Sequence, residues 1–241
     1  MSEQDTSKSY QEASRDLTHE LIVTAPLYLL VPVLFAALAL IWEIELSPGW
    51  ILLGAVGWLG ALFLRVPVAM ITQRLTTESD TIRQVVILSS GPAEELVRLA
   101  IVLITAANLD VGYAIGLGWG GIEVIYALIN GFMIATLLKR TDEEAVKARQ
   151  TMEEMGLLRA GLRPLYGVVE RVAVTAVHIG LTLLLAFQPL LVLVTMPLHS
   201  LINYGFIVMM RRRVNIAFIL LAPLIIGLVA YSLGLVAMLS S

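Results

Sequence analysis

The sequence predicts an all-α polytopic membrane bundle of about seven transmembrane helices with its N-terminus inside. Three observations carry this. The composition is 58% hydrophobic with only 15% charged residues and a mean hydropathy of +0.86, outside the range of soluble domains. Seven apolar runs, near 21–42, 49–72, 83–108, 111–138, 165–187, 189–210 and 215–239, are each long enough to cross a ~30 Å hydrocarbon core, which takes about 20 residues of helix. Runs of this length are helical rather than the ten-residue alternations of a barrel, since in lipid each backbone polar group needs a partner within its own segment. Finally, fourteen of the sixteen basic residues, all but Arg98 and Arg171, count to the N-terminal tail and to connections on one side only.

That asymmetry orients the chain. The N-terminal tail carries Lys8 and Arg15, and the 2/3 connection Arg65, Arg74 and Arg83. The 4/5 connection, about 139–164, carries six (Lys139, Arg140, Lys147, Arg149, Arg159, Arg163), and the 6/7 connection Arg211, Arg212 and Arg213. The 1/2, 3/4 and 5/6 connections and the C-terminus carry none, which by the positive-inside rule requires an odd number of spans with the N-terminus inside and the C-terminus outside. Residues 1–20 hold five acids and lack the basic start of a cleavable signal, so a cytoplasmic, partly disordered tail is expected, followed by a single transmembrane domain over 21–241 in the cytoplasmic membrane. Acids alternate with bases in the 4/5 connection, as in a solvated helix. A net charge of −3 without a basic face excludes nucleic acid as a partner, and the lack of cysteine excludes disulfides, thiol catalysis and thiolate metal sites. Membrane lipid is the partner that composition implies.

Ionisable groups inside a span cost roughly 2.5–3.5 kcal/mol each near its centre on insertion scales. Eight occur here: Glu94, Glu95, Arg98, Glu123, Glu170, Arg171, His178 and His199. Counted at 1.5 Å per residue, Glu94 lies about 16 Å from Arg83, His178 about 20 Å from Pro164, Glu123 about 18 Å from Val111 and His199 about 15 Å from Pro189, so four spans bring acids and imidazoles to similar depth. Glu170 and Arg171 lie nearer the inner face, where a structural or interfacial role is expected. Ser89-Ser90-Gly91-Pro92 interrupts the third run, with Pro92 expected to open a new helix and place Glu94 and Glu95 in its first turn. Glu94 and Arg98 are spaced to pair at i, i+4, as are His199 and Asn203 after Pro197. Glu94, His178, His199 and Asn203 thus combine a carboxylate and imidazole able to activate water with an imidazole and amide able to hold an oxyanion. Gly54, Gly57 and Gly60, and Gly116, Gly118, Gly120 and Gly121, mark close helix packing.

Glu94-Glu95-Leu96-Val97-Arg98, then Gly116 through Glu123, then Glu170-Arg171 with His178, then His199, taken in that order, resemble the YhfC family of intramembrane peptidases. That family is distantly similar to the type-2 CAAX prenyl endopeptidases and ABI proteins, which carry a paired-glutamate motif ending in Arg, an FxxxH motif and an HxxxN motif. The resemblance covers roughly residues 20–240. It implies an intramembrane endopeptidase of glutamate type acting on transmembrane or membrane-associated protein or peptide substrates. Glu94 would activate water with Glu95 and Arg98 in support, and His199 and Asn203 would form the oxyanion site. Where the family is expected to have Gly-His-Gly-Gly, this chain has Gly118-Trp119-Gly120-Gly121. Trp119 cannot take up a proton or bind a metal, so that role falls to His178 or Glu123, or is lost.

Other chemistries fit less well. There is no HExxH, no aspartate in a span core for a GxGD pair, and Leu88-Ser89-Ser90-Gly91 lacks the first glycine of GxSG. No cofactor is expected; a divalent metal such as zinc would draw on Glu94, Glu123, His178 and His199, although no ligand spacing demands one. Two non-enzymatic readings stay open: a pseudoprotease that binds membrane segments, and a proton-coupled transporter using the midplane carboxylates, for which no internal repeat is visible. Because the chain has no native thiol, the orientation is directly testable. A single cysteine at Lys147 should be labelled by an impermeant maleimide only from the inner face, and one at Ser240 only from the outer face. Outer-face labelling at position 147 would reverse the topology.

Overall fold

A computed structural model describes residues 3–154 and 164–240. Arg159 and Arg163 of the basic count lie outside the described residues. Nine α-helices are present among those described: α1 (Glu3–Ile41), α2 (Pro48–Leu75), α3 (Ser79–Leu88), α4 (Ser90–Thr105), α5 (Leu109–Lys139), α6 (Glu143–Glu154), α7 (Pro164–Phe187), α8 (Val192–Arg211) and α9 (Ile216–Leu239), with a 3-10 turn over Pro189–Leu191 leading into α8. The protein is an all-α membrane helical bundle. Six helical segments are long and apolar enough to span a membrane, namely α1, α2, α5, α7, α8 with its preceding turn, and α9. The third of the seven expected spans is instead two shorter helices, α3 and α4, joined at Ser89.

Helix ends follow local chemistry. Pro48 opens α2, where its missing N–H would have had no partner anyway. The Asn108 side chain caps α5 by accepting from the Val111 N–H at 3.0 Å, and Asn215 caps α9 by accepting from Ala217 at 2.8 Å. Three helices close on non-glycine residues with positive φ: Glu43 after α1, Ala106 after α4 and Arg213 after α8. In each, the following N–H returns to the carbonyl five residues back, as in Ile44 to Ala39 at 2.9 Å, which satisfies an otherwise orphan carbonyl. The tail expected to be partly disordered is helical from Glu3, because Ser14 is fully buried and donates to the Ala135 carbonyl of α5 at 2.6 Å.

The interhelical connection between α5 and α7 is helical over α6, as its charge pattern predicts. Buried Arg149 turns back to the terminal carbonyls of α5, reaching Leu137 at 3.2 Å and also Arg140, and its guanidinium lies 4.8 Å from the Tyr10 ring centre. These are the groups a helix C-terminus leaves unpaired. Asp142 caps α6 through the Ala145 N–H, and the hydrogen bonds from Arg140 hold its carboxyl below the usual carboxylate range.

Among the spans α7 is the buried one, with 61% of its apolar window inside the protein against 22% for each of the other five. It packs along α9 and α5, while α5 also holds α1 and α2, and α4 lies between α2 and α8. Tyr113 of α5 ties three helices together by donating to the Phe35 carbonyl of α1 at 2.8 Å and meeting the Tyr231 hydroxyl of α9 at 3.0 Å. The α2/α5 crossing depends on absent side chains. A Cβ at Gly54 would strike the Ile115 backbone, and one at Gly118 would strike the Ile51 backbone. Gly60 has nothing within 4 Å and is not part of the crossing. Gly118→Ala should therefore lose about 1–3 kcal/mol of stability, the usual cost of overpacking, while Gly60→Ala should lose none. Equal unfolding midpoints for the two variants in detergent would remove the crossing from the account.

Candidate active site

The broken third span builds the site. Pro92 is the third residue of α4, two places later than expected, so Glu94 and Glu95 fall in the second turn rather than the first. Having no N–H, Pro92 cannot serve the Leu88 carbonyl, and the Ser200 hydroxyl of α8 donates to it instead at 2.7 Å. Gly91 permits this: a Cβ there would collide with the Met196 carbonyl and with Ser200. The sequence thus brings α8 against the first turn of α4, and His199 arrives beside the two glutamates.

The ion pairs differ from those the spacing suggests. Arg98 pairs with Glu95 (Nε to Oε1, 3.3 Å) and not with Glu94. Glu94 is held by Arg65 of α2 through Oε1, while its Oε2 accepts from the Trp119 indole at 3.0 Å. Arg65, counted above with the inner 2/3 connection, therefore lies within the α2 span. Arg98 uses its remaining donors on α7: Nη1 to the His178 carbonyl at 3.0 Å and to Thr182 Oγ1 at 2.7 Å, and Nη2 to His178 Nδ1 at 2.9 Å. A guanidinium only donates, so Nδ1 accepts and the His178 proton sits on Nε2. That nitrogen meets Glu123 Oε2 at 2.6 Å, and Glu123 Oε1 accepts from Arg171 at 2.8 Å. Arg171 also grips its neighbour Glu170 with two nitrogens.

On the other side of Glu95, His199 Nδ1 meets Oε1 at 2.7 Å, leaving Nε2 facing Glu94 Oε2 at 3.7 Å. The His178 and His199 rings lie 5.6 Å apart. Glu94, Glu95, Arg98, His178 and His199 are all buried, as is Trp119, whose ring lies 4.3 Å under the Arg98 guanidinium. Gly57 makes room for that ring, because a Cβ there would come within 2.9 Å of Trp119 Cζ3. Asn203 is engaged with the first turn of α4, donating to Ser90 Oγ at 2.8 Å.

Three guanidiniums, of Arg65, Arg98 and Arg171, face four carboxylates, of Glu94, Glu95, Glu123 and Glu170. One added proton brings the layer to neutrality, and His199 lies between the two carboxylates nearest to it. Glu95 Oε2 and Arg65 Nε are buried without partners. A cavity of about 570 Å3 adjoins the layer, lined by Arg65, Ser90, Glu123, Arg171 and Asn203 among others. Glu94, His178 and His199 lie outside its lining, in the buried layer that adjoins it.

The four residues named for a metal divide into two pairs, Glu94 with His199 and Glu123 with His178, and Arg98 contacts His178 between them. Among the described residues no three His, Asp or Glu side chains gather as a ligand group. Comparison of the chain with protein-family models, curated proteins and solved structures gave no match.

Arg65, Ser90, Thr182 and Ser200 were not singled out by sequence reasoning. For Arg65 a signal existed: the apolar run continues through Ile71, six residues past it. The clamp around Arg98 sets the prediction here. Arg98→Leu should cost about 3–5 kcal/mol, the range for breaking a buried pair, read as lost folded yield on size exclusion. Adding Glu95→Leu should recover part of that loss. A double variant no better than Arg98→Leu alone would show that the pair is not what the guanidinium supports.

Proposed function

We propose that this chain is an intramembrane endopeptidase of the glutamate type, a hydrolase of membrane-embedded polypeptide. One observation carries the reading: two adjacent carboxylates of α4 address the two nitrogens of one imidazole on α8, Glu95 fixing Nδ1 while Nε2 faces Glu94 at 3.7 Å. In the proposed reaction Glu94 takes a proton from water as the water oxygen attacks the peptide carbonyl carbon. The oxyanion is received by His199 Nε2–H, joined by the Asn203 amide N–H that Ser90 Oγ leaves free, donors in a low-dielectric site. The proton that neutralises the layer is the one His199 needs to donate from both nitrogens at once. Collapse of the intermediate returns the Glu94 proton to the leaving amine. His178 is a positioning residue in this scheme, since Arg98 and Glu123 engage both its ring nitrogens.

The reading places the protein in the cytoplasmic membrane with its N-terminus inside and C-terminus outside. The charge asymmetry supports this even after Arg65 is moved into a span, since no basic residue joins the outer connections.

A second reading, a non-catalytic relative that binds membrane segments, is favoured by Trp119. Its indole and Arg65 engage both oxygens of Glu94 in place of water.

Turnover of membrane-protein substrates in proteoliposomes separates the two. Glu94→Gln should abolish cleavage with the fold intact, Asn203→Ala should slow it about 10²–10³-fold, the range for one oxyanion donor, and chelators should leave it unchanged. Loss on chelation would return the reaction to a metal-bound water. Folded His178→Ala as inactive as Glu94→Gln would make His178 the base. A silent wild type with activity gained by Trp119→His would establish the second reading, and ion flux lost in Glu94→Gln would move the assignment to a transporter.

A further inference from the structure

The cavity beside the charge layer has two kinds of wall. Arg65 of α2, Ser90 of α4 and Glu123 of α5 make it polar, and Asn203 adds an amide from α8; elsewhere α8 and α9 line it with apolar side chains such as Leu201 and Ile226. Helix α8 packs on α4 and α9 on α7, with little contact between α8 and α9. Leu201 and Ile226 are 60% and 38% exposed, so the apolar wall continues onto the lipid-facing surface. The cavity therefore opens sideways into the bilayer.

Its size limits the occupant. One helical turn, 10–12 Å across and 5.4 Å tall, fills a cylinder of roughly 420–610 Å3, so about 570 Å3 takes the bulk of about four residues and not a spanning helix. Its charges limit the occupant too. Arg65 is held by Glu94, and Arg171 by Glu123 and Glu170, which leaves no surplus cation for a lipid phosphate. The Ser90 hydroxyl and Asn203 amide are the groups that pair with a peptide backbone.

We infer that this cavity receives a locally extended stretch of about four apolar residues from a membrane polypeptide, entering between α8 and α9, and that Gly205 sets its depth. The polypeptide occupant rests on the peptidase reading. Gly205 lines the cavity, and a Cβ built there meets no atom within 4 Å, so a side chain at this position grows into open space rather than into a neighbour. A transmembrane substrate must accordingly unwind, or present a chain end, before its backbone reaches Asn203.

The test uses the full chain in phosphatidylcholine nanodiscs and a capped tetrapeptide of photoreactive leucine, with a photoreactive phosphatidylglycerol as the competing probe. The tetrapeptide should label α8 and α9 between 198 and 226 in the wild type and in Glu94→Gln alike. Gly205→Leu should cut that labelling about tenfold or more, equivalent to a loss of about 1.4 kcal/mol, with Gly205→Ala intermediate and Gly60→Leu unchanged. Leucine is the better helix former, and size exclusion checks the fold of each variant. Labelling that ignores Gly205→Leu, tetrapeptide labelling absent from α8 and α9, or lipid labelling that excess tetrapeptide does not displace, would overturn the inference. Tetrapeptide labelling that obeys Gly205, in a protein that cleaves nothing, would support the pocket while removing the peptidase reading.

Discussion

A guanidinium with no water around it must be given all its partners by protein, and in this bundle that requirement falls on Arg98. Every other feature of the charge layer can be traced outward from it. Its fork spans α4 to α7, pairing with Glu95 on its own helix and with His178 and Thr182 on the next, while its face rests on Trp119 of α5. Insertion of such a group is costly, and leaving either member of a buried pair alone costs more than forming the pair gains. The three helices must therefore dock together. The same fork decides chemistry: by donating to His178 Nδ1 it sends that imidazole's proton toward Glu123, and by holding Glu95 it sets the carboxylate that orients His199.

Polar contacts of about 3 Å need backbones that come close, and the chain arranges this by omission. Gly91 lets α8 reach the turn where Pro92 leaves Leu88 without a donor, and Ser200 fills that gap. Gly54 and Gly118 bring α2 onto α5. Gly57 likewise opens α2 toward Ile101 of α4, the helix on which Arg65 of α2 reaches Glu94. In lipid, where apolar side chains gain little by leaving tails of the same polarity, such close approach and the polar contacts it permits supply much of the association between helices.

The spans were legible because hydrophobic length is a one-dimensional property, and the bilayer imposes it on each helix separately. The break at Ser89 was legible for a similar reason, since proline acts on its own turn. What a linear pattern cannot show is which of two allowed partners a side chain takes. Spacing permits Arg98 to meet Glu94 or Glu95; the choice depends on Arg65 and Trp119 having claimed Glu94 from two other helices. Assigning Arg65 to a loop hid that claim. The tail failed differently, because its polar composition reads as solvated while one buried serine pins it to α5.

Trp119 is the point at which these constraints meet. An indole where the sequence resemblance leads one to expect a histidine reads, in sequence, as a lost function. In three dimensions it is a supported residue: Gly57 vacates the volume the ring needs, Arg98 stacks on its face, and Glu94 receives its N–H. The neighbours instead fit a tryptophan, and they do so from two other helices, α2 and α4. A histidine at this position would leave unfilled the space that Gly57 opens for the indole. Whatever Glu94 does, it does with an indole as its partner, and the reach of that carboxylate is set with the indole in place.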